Sequence, residues 1–209
     1  MKYLFLTLLL TLSGLLCFAQ SFEGEIVYNN TYKSKMPSLT DEKFTAMMGT
    51  TQNYYIKDGA YRSETNGTLV QWQIYINPEN RLYSKSHNSE TVIWNDGAEN
   101  DDEVISSQLN KGVIELLGYK CDELILNCKS GVQKYYFTSK LPVDYKLFEK
   151  HKFGNFAFYL SMAHAIPLKM IVETAQYAVE STATQIKPMK LDNTMFKLPA
   201  GVHTAKNPN

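Results

Sequence analysis

The sequence predicts an α+β domain, in which a large curved antiparallel β-sheet (a half-barrel) has helices covering its concave face. Three observations lead to this prediction. Apolar and polar residues alternate with a period of two over most of the chain, turn dipeptides recur at short intervals, and two segments change to helical spacing. A sheet with many strands is expected to curl, and striped helices must bury their apolar sides against its apolar face.

The first predicted strand and the first predicted helix lie close together in the chain. Residues 22–28 alternate between apolar and polar side chains, which predicts a strand with one apolar face. Phe44, Met47 and Met48 then follow the i, i+3, i+4 spacing of a helix, and acidic residues precede them where the helix dipole favours anions. We therefore expect a short amphipathic helix over residues 40–48.

Turn sequences divide the next part of the chain into a meander of short strands. Asp58-Gly59 and Asn66-Gly67 are favoured in two-residue hairpin loops, because their residues tolerate positive φ angles. With further turns at 77–80 and 95–97, the predicted strands comprise residues 52–57, 60–65, 68–76, 81–87 and 91–94.

Cys121 and Cys128 lie on one strand of a predicted hairpin. Seven residues along a strand span roughly 23 Å, which is beyond the reach of a disulfide. An odd spacing also directs the two side chains to opposite faces of the sheet. We therefore predict two free thiols. The hairpin comprises a strand over residues 119–129, a turn at Ser130-Gly131 and a strand over residues 132–138.

A second helix and the last strands follow this hairpin. Leu141-Pro142 interrupts the strand pattern, and residues 152–163 then take up helical spacing. His164 extends the apolar stripe of this helix, so we expect it to be a hydrogen-bonded interior histidine. The tail after Val202 is expected to fray. The final strands are predicted over residues 168–174 and 178–187.

Residues 1–20 have the layout of a secretory signal peptide, which leaves residues 21–209 as a single domain. Lys2 gives a charged start, residues 4–16 are almost wholly apolar, and a small residue precedes the polar Gln20. This predicts a periplasmic or extracellular protein after signal peptide cleavage. Lipid attachment at Cys17 is the less favoured alternative, because a leucine rather than a small residue precedes it.

The charge balance argues against a nucleic-acid partner. The chain has 21 Lys and Arg against 21 Asp and Glu, and loss of Lys2 gives a mature net charge of −1, whereas a nucleic-acid module needs a basic face. After residue 20 no apolar run is long enough to span a bilayer, since residues 153–172 are interrupted by His164, Pro167 and Lys169. We therefore expect no transmembrane segment in the mature chain.

No catalytic or metal-binding motif is present in the sequence. The four histidines (His87, His151, His164 and His203) form no pair with zinc-binding spacing. The acidic residues 99–103 lack the ligand spacing of a calcium loop. There is no Gly-x-Ser-x-Gly elbow, no phosphate-binding glycine loop and no Cys-x-x-Cys pair. We expect no cofactor, no bound metal and no enzymatic activity.

The remaining feature of the sequence is its aromatic content. Trp72 and Ile74 lie on one face of a predicted strand, and tyrosines and leucines of neighbouring strands could join that face. Such side chains either pack as an ordinary core against the helices or line an apolar pocket with hydroxyls near its mouth. The candidate ligand-binding residues are Tyr28, Met48, Tyr54, Trp72, Ile74, Tyr83, Leu124, Tyr136, Phe156 and Leu160.

Four segments of the chain resemble a family of uncharacterised secreted proteins common in Bacteroidetes. They are a Phe-x-Gly-x-Ile strand at residues 22–26 and residues 54–62, 117–121 and 191–201. That family is similar in turn to the half-barrel fold of the lipoprotein carrier LolA and of LppX-type lipid-binding proteins. The resemblance implies a curved sheet covered by helices, with acyl chains held in a cavity between them. It implies no catalytic residue.

Three functions remain open at this point. The first is non-enzymatic binding of a hydrophobic small molecule or lipid, such as an acyl chain, between the curved sheet and the helices. The second is a protein–protein interaction module of the cell envelope, with a filled core and an exposed edge strand or loop as its binding surface. The third is an unrecognised hydrolase, which would require His151 or His164 to meet a carboxylate and a hydroxyl in a cleft.

Overall fold

The computed structural model describes residues 21–208, so the expected signal peptide and Cys17 lie outside the described residues. The described chain forms one twelve-stranded sheet, two α-helices and four short 3-10 helices. All strand pairs are antiparallel except the one at one edge of the sheet. The prediction of a large antiparallel sheet with helices is therefore confirmed.

The elements alternate between long runs of strands and short helical insertions. The strands are β1 (Gly24–Ser34), β2 (Thr51–Lys57), β3 (Ala60–Thr65), β4 (Val70–Ile76), β5 (Arg81–Ser86), β6 (Val92–Asp96), β7 (Val104–Leu116), β8 (Tyr119–Cys128), β9 (Gly131–Pro142), β10 (Ala165–Thr174), β11 (Tyr177–Pro188) and β12 (Thr204–Lys206). The α-helices are α1 (Asp41–Met48) and α2 (Phe156–Ala163), and the 3-10 helices are Asn77–Glu79, Tyr145–Phe148, Phe153–Asn155 and Asn193–Phe196.

Two meanders meet in the middle of the sheet, where β1 pairs with β11. The strand order is β12-β6-β5-β4-β3-β2-β1-β11-β10-β9-β8-β7. The predicted hairpin at Asp58-Gly59 is confirmed, since Lys57 pairs with Ala60. The prediction that the tail frays after Val202 is wrong, because β12 pairs in parallel with β6 and so satisfies backbone groups at that edge. The other edge of the sheet is β7.

The sheet buries side chains on both faces. The inner face carries Tyr28, Tyr75 and Tyr135, and its side chains form the main core together with α2, whose Tyr159 stacks on Tyr135 with ring centroids 4.2 Å apart. Trp72 and Ile74 point to the other face, because their positions alternate with Tyr75 along β4. Their expected grouping with Tyr28 is therefore wrong. They belong instead to a second core of Trp72, Ile74, Tyr83 and Val92, packed against Ile76, Trp94, Leu198 and Val202.

Helix α1 is confirmed over Asp41–Met48. The Thr40 side chain caps it by accepting a hydrogen bond from the backbone N–H of Lys43 at 3.3 Å. Its Phe44 ring contacts Tyr32 and Tyr177, with ring centroids 5.1 and 5.8 Å apart. Both tyrosines lie on the inner face according to the β1–β11 register. Helix α1 has no buried residue, so it packs on this face without being enclosed by it.

Helix α2 begins at Phe156, four residues later than predicted. Gly154 and Asn155 have φ angles of 62° and 63°, which interrupt the α-helix and leave Phe153–Asn155 as a 3-10 turn. The expected burial of His164 is wrong, because this residue caps the helix in the left-handed region and is exposed. Its Nε2 lies 2.8 Å from the carbonyl oxygen of Ser161. The buried histidine is His151.

Two further differences arise where the alternation of side chains is irregular. β9 continues through Leu141 and Pro142, the point where the sequence predicted a break, because Pro142 pairs with Ala165 of β10. Cys121 and Cys128 are both free thiols, as predicted, but both lie in the main core rather than on opposite faces. The β7–β8 register is irregular beside Cys121, where β7 has extra residues between Asn110 and Ile114.

Candidate ligand-binding clefts

Two clefts open at one end of the inner face, beside the start of α2. The first cleft has a volume of about 680 Å³, and the second cleft has a volume of about 530 Å³. Asn100 lines both of them. Each volume lies within the range of pockets that hold small molecules. The clefts are therefore the candidate site on this face.

The first cleft is walled by three strands and one turn. β9, β10 and β11 contribute Tyr135, Val172 and Tyr177, and the 3-10 turn contributes Phe153. Tyr135 and Val172 are inner-face residues, since Val172 pairs with Gln133, two positions from Tyr135 along β9. The Tyr135 hydroxyl donates a hydrogen bond to Gln133 Oε1 at 2.9 Å. This cleft therefore exposes aromatic and apolar surface at the margin of the main core.

The Asp102 carboxylate holds the rim of the first cleft together. It accepts hydrogen bonds from the backbone N–H and the hydroxyl of Ser130, at 2.9 and 2.8 Å, and from Gln133 Nε2 at 3.1 Å. Ser130 lies in the β8–β9 loop, which is Lys129-Ser130 rather than the predicted Ser130-Gly131, since Cys128 pairs with Gly131. These bonds fix the acidic loop that precedes β7 against the β8–β9 hairpin.

The second cleft lies between β7 and α2. Val104, Ala157 and Phe158 form its apolar lining, and Phe158 is 40% exposed. Charged side chains surround this lining. They are Glu103, Glu149 and Lys152. The second cleft thus combines an apolar floor with a rim that carries both signs of charge.

A hydrogen bond joins Asn100, which lines both clefts, to Asn155, which lines the second cleft. Asn100 Nδ2 donates to Asn155 Oδ1 at 2.8 Å, and Asn155 Nδ2 lies 3.5 Å from the Cys128 Sγ atom. The Lys152 N–H also bonds to the carbonyl of Gly97 at 2.6 Å. Burial raises the pKa of the Cys128 thiol to about 11, so the thiol is neutral at physiological pH. The Asn100–Asn155 bond is therefore an uncharged bridge at the clefts, in contact with Cys128 of the main core.

An aromatic cluster inside the main core encloses His151. Its Nε2 lies 2.8 Å from the Tyr61 hydroxyl, and its ring stacks on Tyr75 and contacts Phe156. The buried His151 Nδ1 and Tyr54 hydroxyl have no hydrogen-bond partner within residues 21–208. Burial lowers the pKa of His151 to about 3, so this imidazole is neutral at physiological pH. A neutral histidine among aromatic rings offers a hydrogen-bonding atom without a charge.

The ten candidate ligand-binding residues are divided among several places. Trp72, Ile74 and Tyr83 lie in the second core. Met48 is half-buried at the end of α1, and Tyr136 packs at the margin of the main core, where its hydroxyl donates to Glu123 at 2.7 Å. The main core contains Tyr28, Leu124 and Leu160, and the partly buried Tyr54 and Phe156 pack against it. None of the ten is among the residues that line the two clefts.

The sequence reasoning did not identify the residues that line the clefts. Tyr135, rather than the adjacent Tyr136, lies on the inner face, and the predicted and the observed loops both place it opposite a buried leucine of β8. Phe153 was assigned to a helix that begins later. Within residues 21–208, no group of three histidine, cysteine or acidic side chains could hold a metal ion. None of the helices in the same range is long and apolar enough to cross a membrane.

No protein-family model matches the chain, and no curated protein matches it. The resemblance to half-barrel lipid carriers therefore remains a prediction from the sequence, and the clefts must be interpreted from their own contacts.

Proposed function

We propose that this protein is a non-enzymatic, extracytoplasmic binding protein that takes up a lipid or an acyl chain in the two clefts beside α2. The observation that carries the proposal is the first cleft. There, Tyr135, Phe153 and Tyr177 line an open volume of about 680 Å³ at the margin of the main core, together with several polar and charged side chains. Concave sites with mostly apolar walls and a few polar groups are typical of small-molecule binding.

The positions of the helices support a half-barrel in which both helices cover the concave, inner face. Tyr135 lines the first cleft and is stacked by Tyr159 of α2, while Tyr177 lines the same cleft and is contacted by Phe44 of α1. The cleft thus extends between a residue under α2 and a residue under α1. A ligand in this position would enter between the two helices.

Burial of apolar surface would supply the binding energy. About eight methylenes removed from water contribute roughly 6 kcal/mol. Association costs a similar amount, on the order of 4 kcal/mol or more. A ligand that fills only one cleft would therefore bind weakly. A longer chain that occupies both clefts, with the Asn100–Asn155 bridge displaced, would bind more tightly.

A fluorescent fatty acid tests this proposal. The purified protein is titrated with cis-parinaric acid, and stoichiometry is measured by native mass spectrometry. Phe153→Ser removes an aromatic wall of the first cleft and should weaken binding roughly 5- to 30-fold. Leu69→Ser is the matched control, because Leu69 and Phe153 are each 38% exposed and Leu69 does not line either cleft.

Two results would contradict the proposal. One is a wild-type protein that takes up no fatty acid although its circular dichroism shows a folded sheet. The other is equal loss of binding in Phe153→Ser and Leu69→Ser, which would place the ligand elsewhere. Thermal melts of each variant separate lost binding from lost folding.

A further inference from the structure

Besides His151, two buried polar side chains of the inner face lack a hydrogen-bond partner. Asn30 is 3% exposed, and its Oδ1 atom has no partner within residues 21–208. The buried Tyr54 hydroxyl is also unpartnered in this part of the chain. Asn30 Oδ1 can only accept a hydrogen bond, whereas a tyrosine hydroxyl can donate or accept one. Since buried polar atoms are normally paired, these two atoms indicate a place where an outside group can bind.

Asn30 and Tyr54 lie on neighbouring strands, on either side of Tyr28. Asn30 follows Tyr28 by two positions on β1, so both side chains point to the inner face. Tyr54 of β2 pairs with Ile26, and its ring meets the Tyr28 ring edge-on with centroids 6.3 Å apart. The Tyr28 hydroxyl is already used, because it donates to the carbonyl of Pro167 at 2.6 Å. The unpartnered atoms near Tyr28 are therefore those of Asn30 and Tyr54.

The sheet register connects Asn30 to the first cleft. Tyr135, which lines this cleft, faces Met170 on β10, and Met170 faces Ser181 on β11. Ser181 in turn faces Asn30. Three strand spacings separate Tyr135 from Asn30, about 14 Å, which one long acyl chain can span. Met170 is half-buried between them, and methionine side chains adapt readily to a neighbour. A chain that enters the first cleft can therefore reach Asn30 by displacing Met170.

We propose that Asn30 and Tyr54 bind the polar end of the ligand and select an uncharged hydroxyl group over an ionised carboxylate. This selection rests on the lipid binding proposed above, and it makes a long-chain alcohol or another hydroxyl-bearing lipid the preferred ligand. A hydroxyl can donate to Asn30 Oδ1 and can accept from Tyr54. The inner-face neighbours of Asn30 are Tyr28, Tyr32 and Ser181, none of which carries a cation. An ionised carboxylate would therefore lose its hydration without gaining an opposite charge.

Competition between two ligands of equal chain length tests this selection. Dodecanol and dodecanoate are each used to displace cis-parinaric acid from the purified protein, in mildly alkaline buffer where the carboxylate is ionised. Tyr54→Phe removes only the hydroxyl. It should weaken dodecanol binding about fivefold, the contribution of one hydrogen bond, and leave dodecanoate binding unchanged. Asn30→Leu removes the acceptor and should have the same effect.

Tyr159→Phe is the matched control, because it removes a buried hydroxyl that already has a partner. The Tyr159 hydroxyl donates to the carbonyl of Ala165 at 2.8 Å. This variant should keep the wild-type ratio of the two dissociation constants but have a lower melting temperature. Tyr54→Phe should melt no lower than the wild type, since its hydroxyl has no bond to lose within the described residues.

Three results would overturn the proposal while fatty-acid binding itself stands. They are equal weakening of both ligands in Tyr54→Phe, no weakening of either ligand in that variant, and a lower melting temperature for it, which would reveal a partner for the hydroxyl. A wild-type protein that takes up neither cis-parinaric acid nor dodecanol would contradict the proposed function as well.

Discussion

The imidazole ring of His151 lies flat on the ring of Tyr75, with centroids 4.0 Å apart and planes inclined by 9°. His151 is 1% exposed, and its Nδ1 has no hydrogen-bond partner in the part of the chain that the structure describes. Burial lowers its pKa from 6.5 to about 3. The folded protein therefore keeps neutral a group that the unfolded chain would protonate in mild acid.

This difference predicts an acid-dependent loss of stability. Between pH 6.5 and 3 the unfolded chain binds a proton at His151 that the folded chain does not bind, so the free energy of unfolding falls as the pH falls through this window. From pH 7.5 to 4 the contribution is about 3 kcal/mol. His151→Gln cannot be protonated, so urea unfolding at the two pH values should show a smaller loss than in the wild type. An equal loss would show that His151 is not the group responsible.

Glu23, which precedes β1, binds the C-terminal segment, and its carboxylate gives a second prediction about how stability depends on pH. Its carboxylate accepts hydrogen bonds from the Leu191 N–H at 2.7 Å and from Lys190 Nζ at 2.9 Å. The Leu191 bond is the main reason why the pKa of Glu23 falls from 4.5 to about 2. The ionised Glu23 carboxylate therefore stabilises the fold above pH 4.5, and this contribution to the free energy of unfolding is lost as the pH falls towards 2.

Glu23→Gln should therefore be less stable than the wild type at pH 7, by about 1 to 2 kcal/mol, because charge-assisted hydrogen bonds become neutral ones. Near pH 2 the two proteins should have the same free energy of unfolding. Urea titrations at both pH values measure this difference. A variant that is equally destabilised at both would indicate altered packing rather than lost charge.

The alternation of apolar residues predicted the strands that bury one face, and its failures have a common physical cause. β7 was missed because most of its side chains are exposed on both faces, so its sequence shows no alternation. β4 was assigned the wrong apolar face, because Ile74 and Tyr75 are both fully buried. A period of two reveals a strand only when its two faces differ in burial.

The clefts were beyond the reach of sequence reasoning because they depend on contacts between distant segments. Asp102 meets Gln133 across 31 residues, and Asn100 meets Asn155 across 55 residues. The φ angles of Gly154 and Asn155 decide where α2 begins, and no helical pattern encodes them. The core positions of Tyr28, Leu124 and Leu160, in contrast, follow from apolar patterns within single elements, and these residues do lie together.

The second core predicts a specific loss of stability. Ile74 is fully buried in it, so Ile74→Ala removes three methyl or methylene groups from a packed site and should lower the free energy of unfolding by about 2 to 4 kcal/mol. Ile105→Ala removes the same atoms from a side chain that is 69% exposed. That control should change stability by about 0.5 kcal/mol or less. Equal effects in urea denaturation would mean that the outer face is not a true core.

The last prediction concerns Asn155, which forms the bridge to Asn100. This residue combines a left-handed backbone with a buried side-chain amide. Asn155→Gly removes the bonds to Asn100 and Cys128 but accepts the φ angle of 63° without strain. Asn155→Ala removes the same bonds but keeps a Cβ atom, which in the left-handed region costs about 1 kcal/mol relative to glycine.

The glycine variant should therefore be the more stable of the two in urea denaturation, and an alanine variant of equal stability would show that the backbone at Asn155 relaxes freely. Both variants open the bridge between the clefts. If a long acyl chain spans them, each variant should gain affinity for a long-chain fatty acid relative to a short-chain one, since a short chain fills one cleft without displacing the bridge.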